Sequence, residues 1–436
     1  MLHRHPTVPG KGGPIQVAAW AMVLLSVVAV LLGLRTIILG DSANSRLATV
    51  ESLVHHGTWR IDRPEGQPRS VFEAGSVDKV FVNGRLLSSK PPLLPLAMAA
   101  EYYVLNKALG WTLDGRDSLK RVVQALTFTF MVLPHVILAI YFLLLLNLFI
   151  VEPWQRLLPL GALLWGTQLT GFAAQINNHT PAAALLLVAV YYALGVGSGK
   201  LAPHPLRFAA FGLAGGLVFT LDMPLTIYIA LSGLYLIYRF PRQAMLWGGL
   251  GMAVPLVLHF ALMASLTGSP LPVQTRKEVY LYESAPWRNP GGLDGLNEPK
   301  GLYAFHLLFG RFGTFLLFPV LTLGLAGTAL AAIRRDVPLR GWILGAFAAF
   351  TVLTLYYIQS TTNYGGASYG FRWHIGSMPL LLLMALPVFE RMKKGWHLAL
   401  YALLMAVSLY SAWECYRQPW GEQHEWTCRL LFGNAY

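Results

Sequence analysis

The sequence predicts an all-α, polytopic membrane protein, and three observations support that prediction. Of 436 residues, 55% are hydrophobic and only 12% are charged, with a mean hydropathy of +0.51, more than a soluble globular chain of this size carries. Apolar runs of about 20 residues, the length that crosses a bilayer, recur along the chain. Basic residues gather in alternate connectors between these runs, which is typical of a multi-pass protein.

The apolar runs predict about eleven transmembrane helices. They cover residues 16–39, 122–150, 156–174, 180–197, 206–221, 223–238, 243–266, 306–333, 338–358, 375–389 and 396–413. No internal repeat at a fixed period is visible. We therefore expect residues 1–436 to form a single transmembrane domain without a separate soluble domain.

The basic connectors orient these helices, because short loops rich in Lys and Arg stay cytoplasmic. This places the amino terminus inside, and puts the loops 40–121, 267–304 and 359–374 and the carboxyl tail outside. The first apolar run is too long for the core of a signal peptide, so we interpret it as a retained anchor. The net charge of +13 then reflects topology and contact with anionic membrane lipids rather than nucleic acid. The expected location is the plasma (inner) membrane.

The first outer loop, 40–121, is predicted to contain two helices that lie along the membrane interface. Ala43, Leu47, Val50 and Val54 recur at helical spacing between polar residues, which indicates an amphipathic helix ended by Gly57. A second apolar helix covers residues 92–109 and begins at prolines. Cys415 and Cys428 both fall in the predicted outer tail, where an oxidising compartment favours a disulfide over two free thiols.

Charged residues at the lipid boundary are costly to desolvate, so their placement there suggests function. Asp41 directly follows the first apolar run, and Lys90 precedes Pro91 and Pro92 in the same outer loop. The alternative for Asp41 is a helix N-cap. The alternative for Lys90 is an interfacial lysine whose ammonium snorkels to the lipid head groups.

This first loop resembles that of the GT-C membrane glycosyltransferases, in particular the aminoarabinose transferase and protein O-mannosyltransferase branch. The likeness rests on Asp41, on an interfacial helix ending in Gly57, and on Lys90-Pro91-Pro92-Leu93 before a second helix ending near Gly110. Two later segments, 310–315 and 363–373, also look like the family. The resemblance implies that a sugar is transferred with inversion from a polyprenyl-phosphate donor to a hydroxyl or amine. The acceptor molecule would be a lipid, a glycan or another molecule at the outer face of the membrane.

The resemblance and elementary chemistry assign the same roles. Asp41 would act as the general base that takes the acceptor proton. Lys90 and Arg372 would stabilise the donor phosphate, with a hydrogen bond from Tyr369. Further candidates for the substrate cavity are Arg46, Asn178, His179, Asp222, Arg311 and His374. For the turn 175–181 the alternative is a helix start capped through Asn178 or Thr180, and Asp222 is an alternative cap as well.

No metal site or other cofactor is predicted. Relatives of the aminoarabinose type show Asp-Glu where this chain has Asp41-Ser42, so the second acid for a metal is missing, and a divalent cation stays an unsupported alternative. The outer loop 267–304 is short and aromatic, which suggests a lid over the donor or else a connector lying in the interface. The alternative function is a transporter or flippase that binds an anionic lipid-linked substrate without chemistry.

Overall fold

The protein is described from a computed structural model that covers residues 13–36, 40–63, 69–420 and 426–432. Within these residues, seven helices are long and apolar enough to cross a membrane: Pro14–Leu32, Arg116–Phe149, His179–Gly197, Pro241–Thr267, Arg340–Ser360, Arg372–Phe389 and Gly395–Arg417. Three shorter apolar helices follow the same pattern: Pro205–Leu221, Met223–Arg239 and Pro319–Ile333. The predicted span 156–174 is broken between Trp165 and Leu169. The structure thus confirms the polytopic helical fold.

The first half of the chain contains the following elements. They are α1 (Pro14–Leu32), α2 (Asp41–His56), α3 (Val71–Ala74), β1 (Lys79–Val82), β2 (Arg85–Ser88), α4 (Leu93–Leu109), α5 (Arg116–Thr127), α6 (Leu133–Phe149), α7 (Leu157–Trp165), α8 (Leu169–Ala173), α9 (His179–Gly197) and α10 (Pro205–Leu221). A π-helical turn, Phe128–Val132, joins α5 to α6 into one continuous helix.

The second half continues with α11 (Thr226–Arg239), α12 (Pro241–Gln243), α13 (Gly249–Thr267), α14 (Lys277–Tyr280), α15 (Lys300–Leu308), α16 (Thr314–Leu317), α17 (Thr322–Ile333), α18 (Arg340–Ser360), α19 (Met378–Met384), α20 (Leu386–Phe389), α21 (Gly395–Arg417) and α22 (Trp426–Phe432). Short 3-10 helices lie between them, including Met223–Leu225 and Arg372–Ser377. The predicted run 306–333 is divided among α15, α16 and α17 rather than forming one helix.

The spans differ in how far they are enclosed by protein. His179–Gly197 and Arg372–Phe389 are 78% and 83% buried, whereas Pro241–Thr267 and Gly395–Arg417 are each only 17% buried. The first pair therefore forms the centre of the helix assembly, and the second pair lies at its edge. Both central spans begin at a predicted site residue, so the site is anchored on the most enclosed helices.

The two helices predicted in the first outer loop are present as α2 and α4. Ala43, Leu47 and Val50 are buried on α2 and share one apolar cluster with Met98 and Tyr102 of α4. His55 Nε2 lies 2.7 Å from the Tyr102 hydroxyl and ties the two helices together. Both helices end at a left-handed glycine, Gly57 and Gly110, which only glycine adopts without strain. Their position at the membrane surface stays a prediction.

The loop also contains a β-hairpin that the sequence reading missed. Strands β1 and β2 pair antiparallel, with Lys79 opposite Ser88. Asn83 and Gly84 form the turn with φ of 49° and 75°, as a two-residue Asn-Gly hairpin turn requires. The hairpin brings the residues just outside its strands, Asp78 and Lys90, side by side.

The cysteine prediction lies partly outside the described residues. Cys415 is buried near the end of α21, and the side chain of Cys428 is not among those described. The predicted disulfide therefore stays a prediction.

Candidate functional site

Lys90 and Asp78 form an ion pair at the open end of the hairpin. Lys90 Nζ lies 2.8 Å from Asp78 Oδ2, and the backbone oxygen of Asp78 accepts hydrogen bonds from the Ser45 hydroxyl and from the Ser89 N–H. Burial lowers the pKa of the Lys90 ammonium, and the negative charge of Asp78 opposes that shift. The lysine is thus fixed by a carboxylate in the fold, which a freely snorkelling side chain would not be.

Arg46 is almost fully buried, with 2% of its surface exposed. Its Nη1 donates to Ser42 O at 2.9 Å and its Nη2 donates to Asn178 Oδ1 at 3.0 Å. Its Nε has no hydrogen-bond partner among the described residues. Burial lowers the pKa of the Arg46 guanidinium to about 10, against the attraction of Asp78. The side chain therefore carries its charge at neutral pH.

A histidine and an aspartate join the start of α9 to the end of α10. His179 Nδ1 lies 2.7 Å from Asp222 Oδ2, and the two residues are 5% and 8% exposed. Asn178 Nδ2 donates to Leu221 O at 3.1 Å, and the same amide accepts from Arg46. The predicted alternative, a cap by Asn178 or Thr180, is wrong, because Asn177 Oδ1 accepts from the Thr180 N–H instead.

Arg372 approaches the same region from the start of the Arg372–Phe389 span. Its side chain lies against the loop of Gly365 and Gly366, where φ is 89° and 78°. A Cβ on Gly365 would meet Arg372 Cγ at 3.1 Å, so the glycine is needed for this close approach. The guanidinium carbon lies 4.8 Å from the centre of the Trp420 ring, and Nε has no hydrogen-bond partner among the described residues.

Arg46, Lys90 and Arg372 form what we call the cation cluster. The negative charge of Asp78 acts on all three side chains. The charge of Arg372 acts on Arg46 and Lys90, and the charge of Arg46 acts on Lys90. Asp222 acts on Arg46 and Arg372, and Asp41 and Asp294 act on Arg372. The three cations come from three separate parts of the chain, and the arrangement is suited to hold an anion with more than one negative oxygen.

Asp41 lies exposed at the first position of α2. Its Oδ1 accepts the N–H of Val77 at 2.8 Å, and its backbone oxygen accepts the Ser76 hydroxyl at 2.8 Å. The N-cap of the helix is Gly40, and no side chain caps it. The alternative that Asp41 is merely an N-cap is therefore wrong, and the carboxylate is oriented by the segment that leads into Asp78.

The structure gives three of the predicted site residues partners outside the cation cluster. The Tyr369 hydroxyl donates to Glu414 Oε2 at 2.8 Å, and its role toward a phosphate stays a prediction. His374 is fully buried, and both its ring nitrogens bond to threonine hydroxyls, at 2.9 and 3.2 Å; it packs within the helices rather than lining a cavity. The Arg311 guanidinium stacks 4.9 Å from the Phe312 ring centre, outside the cation cluster.

A largely apolar groove leads to Lys90. Its walls come from the end of β2, the start of α4, α10, α13 and residues 272–274. The apolar lining includes Trp59, Phe219, Met263 and Leu266. Because α13 is mostly exposed at the edge of the assembly, the groove lies beside a lipid-facing helix.

The loop 267–304 contacts the residues that flank the hairpin strands. Gln274 Nε2 donates to Ser89 O at 2.5 Å, and Trp287 Nε1 donates to Val77 O at 3.0 Å. Glu298 accepts a short hydrogen bond from the Tyr364 hydroxyl, in the glycine loop before Arg372. These contacts fit the predicted lid, which stays a prediction.

Sequence reasoning missed Asp78, Asp294 and Trp420. The Asn-Gly turn after an apolar pair was the available signal for the hairpin, and hence for Asp78. Nothing local marks the other two. Within the described ranges there is no group of three or more His, Cys, Asp or Glu placed to hold a metal ion, and the prediction of no metal stays a prediction.

No protein-family model and no curated protein sequence matches the chain. Among solved structures, the chain is similar to ArnT from Cupriavidus metallidurans bound to undecaprenyl phosphate, with a TM-score of 0.54 at 13% sequence identity. The similarity covers 90% of this chain and 63% of that one. At this identity the similarity shows the fold alone. It supports the GT-C-like fold predicted from the sequence, whereas the branch within that family stays a prediction.

Proposed function

We propose that the protein transfers a glycosyl group from a polyprenyl-phosphate donor to an acceptor at the outer face of the membrane. The observation that carries this proposal is the cation cluster, of which Lys90 lines an apolar groove. An isoprenoid chain needs an apolar groove open to lipid, and its phosphate needs fixed cations where water is partly excluded. The shared fold adds support, because the similar ArnT structure holds undecaprenyl phosphate.

The leaving phosphate gains negative charge as the bond from the sugar to its oxygen breaks. Arg46 and Lys90 are held by Asn178 and Asp78, so they stabilise that charge without reorganising during the reaction. Arg372 adds a guanidinium whose buried Nε has no partner among the described residues. A phosphate that accepts from these three groups would complete their hydrogen bonding.

Asp41 is the general base of the proposed reaction. Its carboxylate is exposed and oriented by the Val77 N–H, and its charge acts on Arg372. The acceptor oxygen or nitrogen attacks the anomeric carbon from the side opposite the phosphate, and its proton passes to Asp41, which inverts the configuration. General-base catalysis of this kind contributes about 10² to 10⁴ in rate.

The test compares wild type with Asp41→Asn in purified protein. Asparagine keeps the oxygen that accepts the Val77 N–H but cannot take a proton, so the local fold is retained while the base is lost. We expect the variant to bind undecaprenyl phosphate like wild type and to lose transfer by about 10² to 10⁴. Asp117→Asn is the matched control, because Asp117 is also an exposed first-turn aspartate.

The assay follows label transfer from radiolabelled polyprenyl-phosphate sugars to a membrane lipid extract, together with release of the free carrier phosphate. Transfer by wild type and by Asp117→Asn, but not by Asp41→Asn, would support the proposal and identify the sugar. Tight binding of the donor without turnover in any of the proteins would refute it and would support the transporter or flippase instead.

A further inference from the structure

The reaction proposed above leaves one group of the site without a task, the buried pair of His179 and Asp222. An imidazole beside a carboxylate inside a helical membrane protein is costly to bury. The Nδ1 atom of His179 lies 2.7 Å from Asp222 Oδ2. No hydrogen bond joins the Nε2 atom of the same ring to the described residues. Any contact of this ring with a ligand is therefore made through Nε2.

The pair lies next to the cation cluster. The positive charges of Arg372 and Arg46 both act on His179, and Asn178, the preceding residue, accepts directly from Arg46 at 3.0 Å. Because both guanidiniums act on His179, an anion held by them would lie within electrostatic range of the imidazole. Asp222 is the C-cap of α10, with φ of −147° and ψ of 79°, and its carboxylate contacts His179 from there.

On this geometry, and resting on the proposed glycosyl transfer, we infer that His179 is the proton donor to the leaving phosphate, with Asp222 as its positioning residue. Asp222 holds the Nδ1–H, so a second proton on the ring resides on Nε2 and can be given away. The carboxylate also stabilises the imidazolium, as the third member of a catalytic triad does.

The step balances in atoms and charge. The acceptor lone pair forms the new bond to the anomeric carbon, and the bond from that carbon to the phosphate oxygen breaks with its electron pair on the oxygen. That oxygen takes the proton from His179 Nε2, while the acceptor proton goes to Asp41. After product release, Asp41 returns its proton to solvent and His179 takes one up, so no further reactant is consumed.

The surrounding charges make protonation of His179 depend on the donor. Burial of the ring opposes the imidazolium most strongly, Arg46 on α2 and Arg372 oppose it as well, and Asp222 favours it. Tyr357 of α18, a neutral group, also lies within range of Asp222. A bound phosphate offsets the two guanidiniums and so favours the charged ring when the proton is needed.

The experiment uses the full-length purified protein with His179→Gln and Asp222→Asn. We expect His179→Gln to lower kcat by about 10² to 10³, with the Kd for undecaprenyl phosphate changed less than threefold. On a Lys90→Arg background, where titration of Lys90 no longer contributes, kcat should fall as the pH rises and the imidazolium is lost, and this limb should be absent when His179→Gln is added. Asp222→Asn should lower kcat less and move the limb to lower pH. His135→Gln is the control, because His135 is another buried histidine on α6, bonded to Ser26.

The outcomes separate the two proposals. If wild type neither binds undecaprenyl phosphate nor transfers sugar, the proposed function fails and the role of His179 falls with it. If wild type transfers sugar but His179→Gln keeps kcat within twofold and retains the alkaline limb, only the inference about His179 is refuted. If His179→Gln does not fold but His135→Gln does, the pH dependence of kcat in Asp222→Asn is the deciding measurement. An alkaline limb at the same pH as in wild type would then refute the inference.

Discussion

Replacing Asp78 with Asn should make the protein less stable and yet improve its binding of phosphate. Asp78 pairs with Lys90 at 2.8 Å, with side chains 11% and 20% exposed. Exposed ion pairs are worth up to about 1 kcal/mol and breaking fully buried ones costs about 3–5 kcal/mol, so this partly buried pair should cost about 2 kcal/mol when it is broken. The amide still fits the site, so we expect the fold to persist.

The effect on binding has the opposite sign because Asp78 is a counter-charge to all three cations. For a phosphate on the order of 7 Å from the lost charge and an effective dielectric constant of about 40, Coulomb's law gives about 1 kcal/mol of relieved repulsion. That corresponds to a Kd for undecaprenyl phosphate lower by roughly fivefold to tenfold.

The assay measures the thermal unfolding midpoint and the Kd for undecaprenyl phosphate by titration calorimetry, at two salt concentrations. The control is Glu73→Gln, which breaks the more deeply buried Glu73–Lys79 pair of the same loop together with the Glu73–Arg69 pair and should lower stability without changing the Kd. Weaker binding by Asp78→Asn, or an equal change of the Kd in both variants, would show that Asp78 does not face the bound phosphate.

Two further predictions concern Lys90 and helix packing. Burial lowers the pKa of Lys90, and phosphate binding needs the ammonium, so affinity should fall as pH rises through a pKa below the ordinary value of about 10.4. Lys90→Arg stays charged, so its affinity for phosphate should fall much less in a titration from pH 7 to 9.5. If the affinity of wild type does not change over this pH range, the prediction is wrong. A Cβ on Gly327 would lie 2.1 Å from Met384 O, whereas one on Gly341 meets nothing within 4 Å. Gly327→Ala should therefore lose about 1–3 kcal/mol of stability and Gly341→Ala almost none, and equal unfolding midpoints would refute the close packing of α17 on the Arg372–Phe389 span.

Much of the site was visible in the sequence because charges stand out in an apolar chain. Asp41, Lys90 and Arg372 flank apolar runs, and His179 and Asp222 interrupt them, so the cost of burying such groups marked them as candidates. The same argument also marked His374 and Tyr369. Their polar atoms are bonded within the fold, to threonine hydroxyls and to Glu414, and a sequence does not show which polar side chains find internal partners.

The sequence by itself determined the membrane class, most of the succession of helices and the two helices of the loop 40–121, because hydropathy and helical spacing are local properties. The tertiary structure alone decided which charges meet. Helix α9 is apolar on nearly all sides and buried, so its sequence carries no record of the face that meets Arg372. Pairs such as Arg46 with Asn178, or His179 with Asp222, depend on how whole helices pack, and that packing is set by contacts between distant parts of the chain.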